Sequence, residues 1–95
     1  MSTTTKPKFE LGQLITTPGA MRALSRNGTS ADQYVKRHQG GDWGDLDSYD
    51  VEANECAVTQ DLTITSAYPL ADGTRLWIIT EADRSVTTIL LPEEY

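Results

Sequence analysis

The last third of the chain most narrows what it can fold into, because Leu62 to Leu70, Arg75 to Glu81 and Val86 to Leu91 are β-rich runs set apart by Asp72-Gly73 and Asp83-Arg84. Connections this short make consecutive strands antiparallel neighbours, so the segment reads as a three-stranded meander. Trp77-Ile78-Ile79 is apolar at successive positions, as expected of a central strand covered on both faces. A two-residue turn at Asp72-Gly73 sets Tyr68 opposite Trp77 and Ser66 opposite Ile79.

A meander must bury its apolar face against another layer, and the first two-thirds of the chain supply helices for it. Phe9, Leu11, Gln13 and Ile15 alternate with Glu10, Gly12, Leu14 and Thr16, the pattern of a short strand with one mainly apolar face. Thr17 then caps a helix with Pro18 at its first position, where the missing N–H costs nothing, and Ala20, Met21, Ala23 and Leu24 form its apolar face. Asn27-Gly28 ends it. Thr29 or Ser30 caps a second helix with Ala31, Tyr34, Val35 and His38 at helical spacing. A glycine-rich loop, Gln39 to Asp45, carries Trp43. Asp47 caps a third helix with Asp50 three residues on, turning Tyr49, Ala53, Cys56 and Ala57 inward and Asp50, Glu52 and Glu55 outward. The expected fold class is α+β: three short helices packed on a mainly antiparallel sheet, in the order β-α-α-α-β-β-β, with the first strand at an edge or beside the meander.

Ninety-five residues at 38% hydrophobic content suit a single domain over residues 8–95, led by a polar stretch, residues 1–7, expected to be disordered. One cysteine, Cys56, allows no internal disulfide, and one Cys with one His makes no four-ligand zinc site. The N-terminus lacks the apolar segment of a signal peptide, and no run approaches the roughly 18 apolar residues of a membrane span. A cytoplasmic protein with no cofactor is the expectation.

Charge is distributed unevenly. Through His38 there are six basic and two acidic residues; after it, two basic and twelve acidic. Seven carboxylates between Gln39 and Asp61, with no Lys or Arg among them, argue against direct nucleic-acid binding, which draws on a basic face. They suit a protein partner with a basic surface, met by Asp42, Asp45, Asp47, Asp50, Glu52 and Glu55 with Trp43 as an aromatic anchor if it is exposed. The same carboxylates could present spaced negative charge as a nucleic-acid mimic. Trp43 has an alternative role as a plug beneath the helices.

Catalytic constellations are weak. Asp45-Leu46-Asp47-Ser48-Tyr49 imitates the start of a calcium loop, but Asp50 stands where that loop needs Gly and Cys56 where it needs Glu. A magnesium-dependent hydrolase or nuclease using Asp42, Asp45 and Asp47, with His38 nearby, is the alternative reading. His38 fits a buried or helix-capping histidine better than a general base, and Cys56 a small core residue better than a nucleophile. Arg84 is placed to pair with Glu81 or Asp83, and Pro92-Glu93-Glu94-Tyr95 ends the strand in an acidic, aromatic tail. A homodimer joined along an exposed edge strand or the meander face is a further option.

Gly41-Asp42-Trp43-Gly44-Asp45, Ser66-Ala67-Tyr68, Asp72-Gly73-Thr74 and above all the run from Leu76 to Tyr95 resemble a family of small uncharacterised plasmid-related proteins encoded on bacterial plasmids and integrative elements. The resemblance covers roughly residues 8–95 and implies a bacterial mobile element and a cytoplasmic accessory role, with no catalytic residue to carry over.

Overall fold

Across the described residues, 7–95, the computed structural model holds β1 (Gln13–Thr16), α1 (Pro18–Arg26), α2 (Ala31–Gln39), α3 (Ser48–Gln60), β2 (Ile64–Pro69), β3 (Arg75–Thr80) and β4 (Val86–Leu90), then a 3-10 turn at Pro92–Glu94. The expected α+β order is present. The lead-in expected over residues 1–7 lies, apart from Pro7, outside the described residues.

The sheet order is β1-β4-β3-β2: the meander is antiparallel throughout, and β1 joins its β4 edge in parallel, which makes the sheet mixed. The strand itself is shorter than the alternation of Phe9 to Thr16 suggests. Gly12 takes φ +66° and turns the chain before Gln13, so Phe9 and Leu11 pack into the core from a loop.

The first hairpin is offset by one residue from the two-residue-turn register. Tyr68 faces Leu76, Ala67 faces Trp77 and Ser66 faces Ile78. The cause is a three-residue loop: Leu70 N–H donates to Thr74 O at 2.7 Å, Gly73 N–H donates to Leu70 O at 2.9 Å, and Gly73 takes φ +91°. A turn closed by a left-handed glycine in this way is a common hairpin solution.

Alternation along the strands separates two faces. Ile64, Ser66, Tyr68, Leu76, Ile78, Thr80, Thr87 and Ile89 are buried on the face that carries the helices. Ala20, Ala23 and Leu24 of α1 and Val35 of α2 cover one half of it, while Phe9, Trp43 and Ala57 of α3 cover the half around Ile64. Met21, expected inside, is 58% exposed.

Helix ends follow the sequence closely at α1 and α3. Thr17 Oγ1 accepts from Ala20 N–H at 3.2 Å, and Asp47 Oδ1 accepts from Asp50 N–H at 2.9 Å. Ser30 is the N-cap of α2 without a side-chain bond. The inward face of α3 differs from the expected one: Tyr49, Ala53 and Cys56 are exposed, and Val51, Asn54, Ala57 and Val58 turn in.

Candidate functional site

The outer edge of β2 explains the turning of α3. Asn54 lays its amide along that edge as a short extra strand would, with Nδ2 donating to Thr65 O at 2.7 Å and Oδ1 accepting from Thr65 N–H at 3.2 Å. Two residues on, Ala67 N–H donates to Trp43 O at 3.1 Å and Asp45 N–H donates to Ala67 O at 2.7 Å. Gly44 lies between, with φ +79°, and a Cβ there would sit 2.1 Å from Ala67 O, so only glycine lets the loop approach so closely. Edge groups left open invite pairing with other chains; here they are closed.

This closure shapes a cavity of about 590 Å³ between the start of α3 and the sheet. Asp45, Asp47 and Asp50 line it from the loop and helix side, and Thr65, Arg75 and Trp77 from the sheet side. Arg75 Nη1 meets Asp45 Oδ2 at 3.0 Å, and Arg75 Nη2 donates to Asp45 O at 3.2 Å. Asp47 caps its helix through one oxygen. Asp50 forms no ion pair among the described residues, so the cavity keeps a net negative wall opposite a half-buried indole. A guanidinium or ammonium group fits such a setting, drawn by the carboxylates and able to lie against the ring.

The other carboxylates of the acidic run lie outside this cavity. Asp42 Oδ2 pairs with Arg37 Nε at 2.8 Å, which holds its carboxyl below the usual range. Glu55 Oε2 accepts from Trp43 Nε1 at 2.8 Å, and Glu52 is exposed. The run is therefore partly neutralised: Arg37 of α2, just before the run, reaches Asp42, and Arg75 of β3, far along the chain, reaches Asp45. Trp43 is 3% exposed and stacks 6.2 Å from Phe9, so it is the plug beneath the helices and not an exposed anchor. The aromatic ring in the cavity is Trp77. Strand alternation already places Trp77 opposite Ile78, on the face away from the helices, and this signal could have found it.

Asp42, Asp45 and Asp47 each engage a different partner, and no group of three or more His, Cys, Asp or Glu among the described residues is arranged to hold a metal ion. His38 does not approach them. It is fully buried edge-on against Phe9 and Trp43, with Nδ1 2.5 Å from Ser66 Oγ and Nε2 2.9 Å from Thr80 Oγ1. Thr80 Oγ1 lies 2.8 Å from Thr87 Oγ1, and Thr87 donates to Leu11 O at 2.7 Å. Following donors back from that carbonyl, Thr80 donates to Thr87, His38 Nε2–H donates to Thr80, and Ser66 donates to an unprotonated Nδ1. Burial pushes the His38 pKa down to about 3, which agrees with a neutral ring in a fully satisfied network.

Arg84 pairs with neither Glu81 nor Asp83. Its guanidinium donates to Leu62 O at 2.6 Å and Ala57 O at 2.8 Å, capping the C-terminal end of α3, which has no basic residue in its last turn. The C-terminal tail folds back: Glu94 accepts from Thr17 Oγ1 at 2.6 Å and Gly19 N–H at 3.1 Å, and Tyr95 meets Trp77 edge-on at 5.7 Å.

Fold and site together define a small α+β protein with an acidic, tryptophan-lined cleft at one edge of its sheet. No family model matches the chain, and neither a curated protein nor a solved structure matches it.

Proposed function

We propose that this is a non-enzymatic accessory or regulatory protein of a bacterial mobile element that acts in the cytoplasm by binding a protein partner with a basic surface. Its most specific form is nucleic-acid mimicry, in which the acidic face occupies the site of a DNA-handling protein. The observation that carries the reading is the cleft, where Asp45, Asp47 and Asp50 line one wall and Trp77 another. A cationic side chain entering it gains charge attraction and contact with an aromatic ring, the combination found at interface hot spots. The mobile-element context rests on the resemblance of the loop around Trp43 and of the C-terminal meander.

The test is capture of partners from bacterial lysate by the tagged protein, beside a variant carrying Asp47→Asn and Asp50→Lys. Asparagine still caps a helix, so the variant keeps α3 while losing the charge of the cleft. A basic protein held by the parent at low salt, released as the Debye length shrinks from about 30 to about 8 Å, and not held by the variant is the expected result. Release by added duplex DNA marks the mimic. Equal recovery by parent and variant overturns the assignment of the cleft.

A further inference from the structure

The two edges of the sheet are treated in opposite ways. At β2, the Asn54 side-chain amide and the backbone of Trp43 and Asp45, brought close by Gly44 between them, occupy the outward groups of Thr65 and Ala67. At β1, no such device exists among the described residues. Gln13 N–H donates to Ser85 O at 2.9 Å and Thr17 N–H to Ile89 O at 3.0 Å, so odd-numbered residues face β4 and the N–H and C=O groups of Leu14 and Thr16 point away from the sheet. The strand carries no charge, no proline and no bulge, the usual means of blunting an edge, and Leu14 and Ile15 are 50% and 43% exposed.

We infer that the β1 edge is a self-association surface, on which a second copy of this chain pairs antiparallel through its own β1. The open stretch is self-complementary. Leu14 and Thr16 lie one residue either side of Ile15, so a two-fold axis through Ile15 pairs Leu14 with the partner's Thr16 by both of their outward groups, and Thr16 with the partner's Leu14 likewise. The stretch is also bounded symmetrically. Gly12, turned by its positive φ, and Pro18, which opens α1 and has no N–H, each stand three residues from Ile15. A longer foreign strand would leave the edge at both ends, whereas a second β1 ends where the first does.

Charge favours the same occupant. The chain carries a formal charge of −6, and its acidic run lies around the β2 edge, at the far side of the sheet. Two copies meeting at β1 keep those runs apart and oppose only Gln, Leu, Ile and Thr. Their sheets become one of eight strands with both helix layers on the same side, and the two Ile15 side chains adjoin on the helix-free face. This surface is separate from the acidic cleft and independent of what the cleft binds.

Sedimentation equilibrium over about 10 µM to about 1 mM tests the pairing. The expected weight-average mass rises with concentration from 10.5 kDa toward twice that value. Leu14→Pro removes an outward N–H without touching a β1–β4 bond, and is expected to weaken association roughly tenfold, since each dimer loses two hydrogen bonds. Ile15→Lys, which keeps every backbone group, sets like charges on the two-fold axis and is expected to do the same; it decides the matter if Leu14→Pro fails to fold. A parent that stays at monomer mass throughout, or a dimer that a folded variant leaves unchanged, overturns the inference.

Discussion

Several residues here act on backbone far from them in sequence. Arg84 sits at φ +62° in the β3–β4 turn, a conformation unfavourable by about 1–2 kcal/mol for a residue with a Cβ, and its guanidinium crosses to the carbonyls that end α3. Its side chain also lies over the Phe9 ring at 5.6 Å. Arg84→Ala keeps the unfavourable backbone and loses the cap, so it is expected to destabilise by about 2 kcal/mol, lowering the melting temperature by roughly 10 °C. Arg84→Gly loses the same bonds but relaxes the backbone, and should retain about 1 kcal/mol more stability than the alanine variant. Equal stability of the two variants in urea titrations would show that the backbone at residue 84 stores no strain.

Among the elements, α1 and the meander were most legible in the sequence, because Thr17-Pro18, Asn27-Gly28 and the β-rich runs act locally. The capping of α3 by Asp47 was legible for the same reason. The inward face of α3 was not: nothing within the helix reveals that a polar residue, Asn54, faces the protein, since its partners are the backbone groups of Thr65. Placing Asn54 outside rotates the apparent apolar face onto Tyr49, Ala53 and Cys56. The candidate site was half legible. Asp45, Asp47 and Asp50 stood out as a charge run, but Arg75 and Trp77 come from a strand that only tertiary pairing brings alongside. Asn54→Ala should therefore cost about 2 kcal/mol in denaturant titration, because Thr65 loses both partners at once. It should also raise light scattering at high concentration by reopening the β2 edge. A stable, non-aggregating Asn54→Ala protein would mean that the edge is closed by the Trp43 loop alone.

For the whole molecule, net charge and the buried histidine pull stability in opposite directions as pH falls. A chain with formal charge −6 and an isoelectric point near 4.5 loses self-repulsion on acidification, which favours the compact state. His38 acts against this. Its folded pKa is held down to about 3 by burial while the unfolded chain binds a proton near 6.5, so between those values the unfolded state carries more protons and stability rises with pH. The contribution is complete above pH 6.5 and is lost below it at about 1.4 kcal/mol per pH unit. Asp42, Asp72, Asp83 and Glu94 have lowered pKa values, led by bonds to Arg37, Thr74, Ser85 and Thr17 respectively, and their contributions are lost only as pH falls below the ordinary carboxylate range, near 4. From pH 8 to 5 the histidine therefore dominates among the shifted groups, and unfolding free energy should fall by about 2 kcal/mol although net charge shrinks. In His38→Gln that slope should vanish or reverse, leaving only the relief of self-repulsion. Raising salt at pH 8 should stabilise both proteins alike, since it screens the shared surface charge and not a buried neutral ring. A parent most stable at its isoelectric point would mean that His38 takes up its proton without unfolding, and that the Ser66–His38–Thr80 network has a second arrangement of its hydrogens.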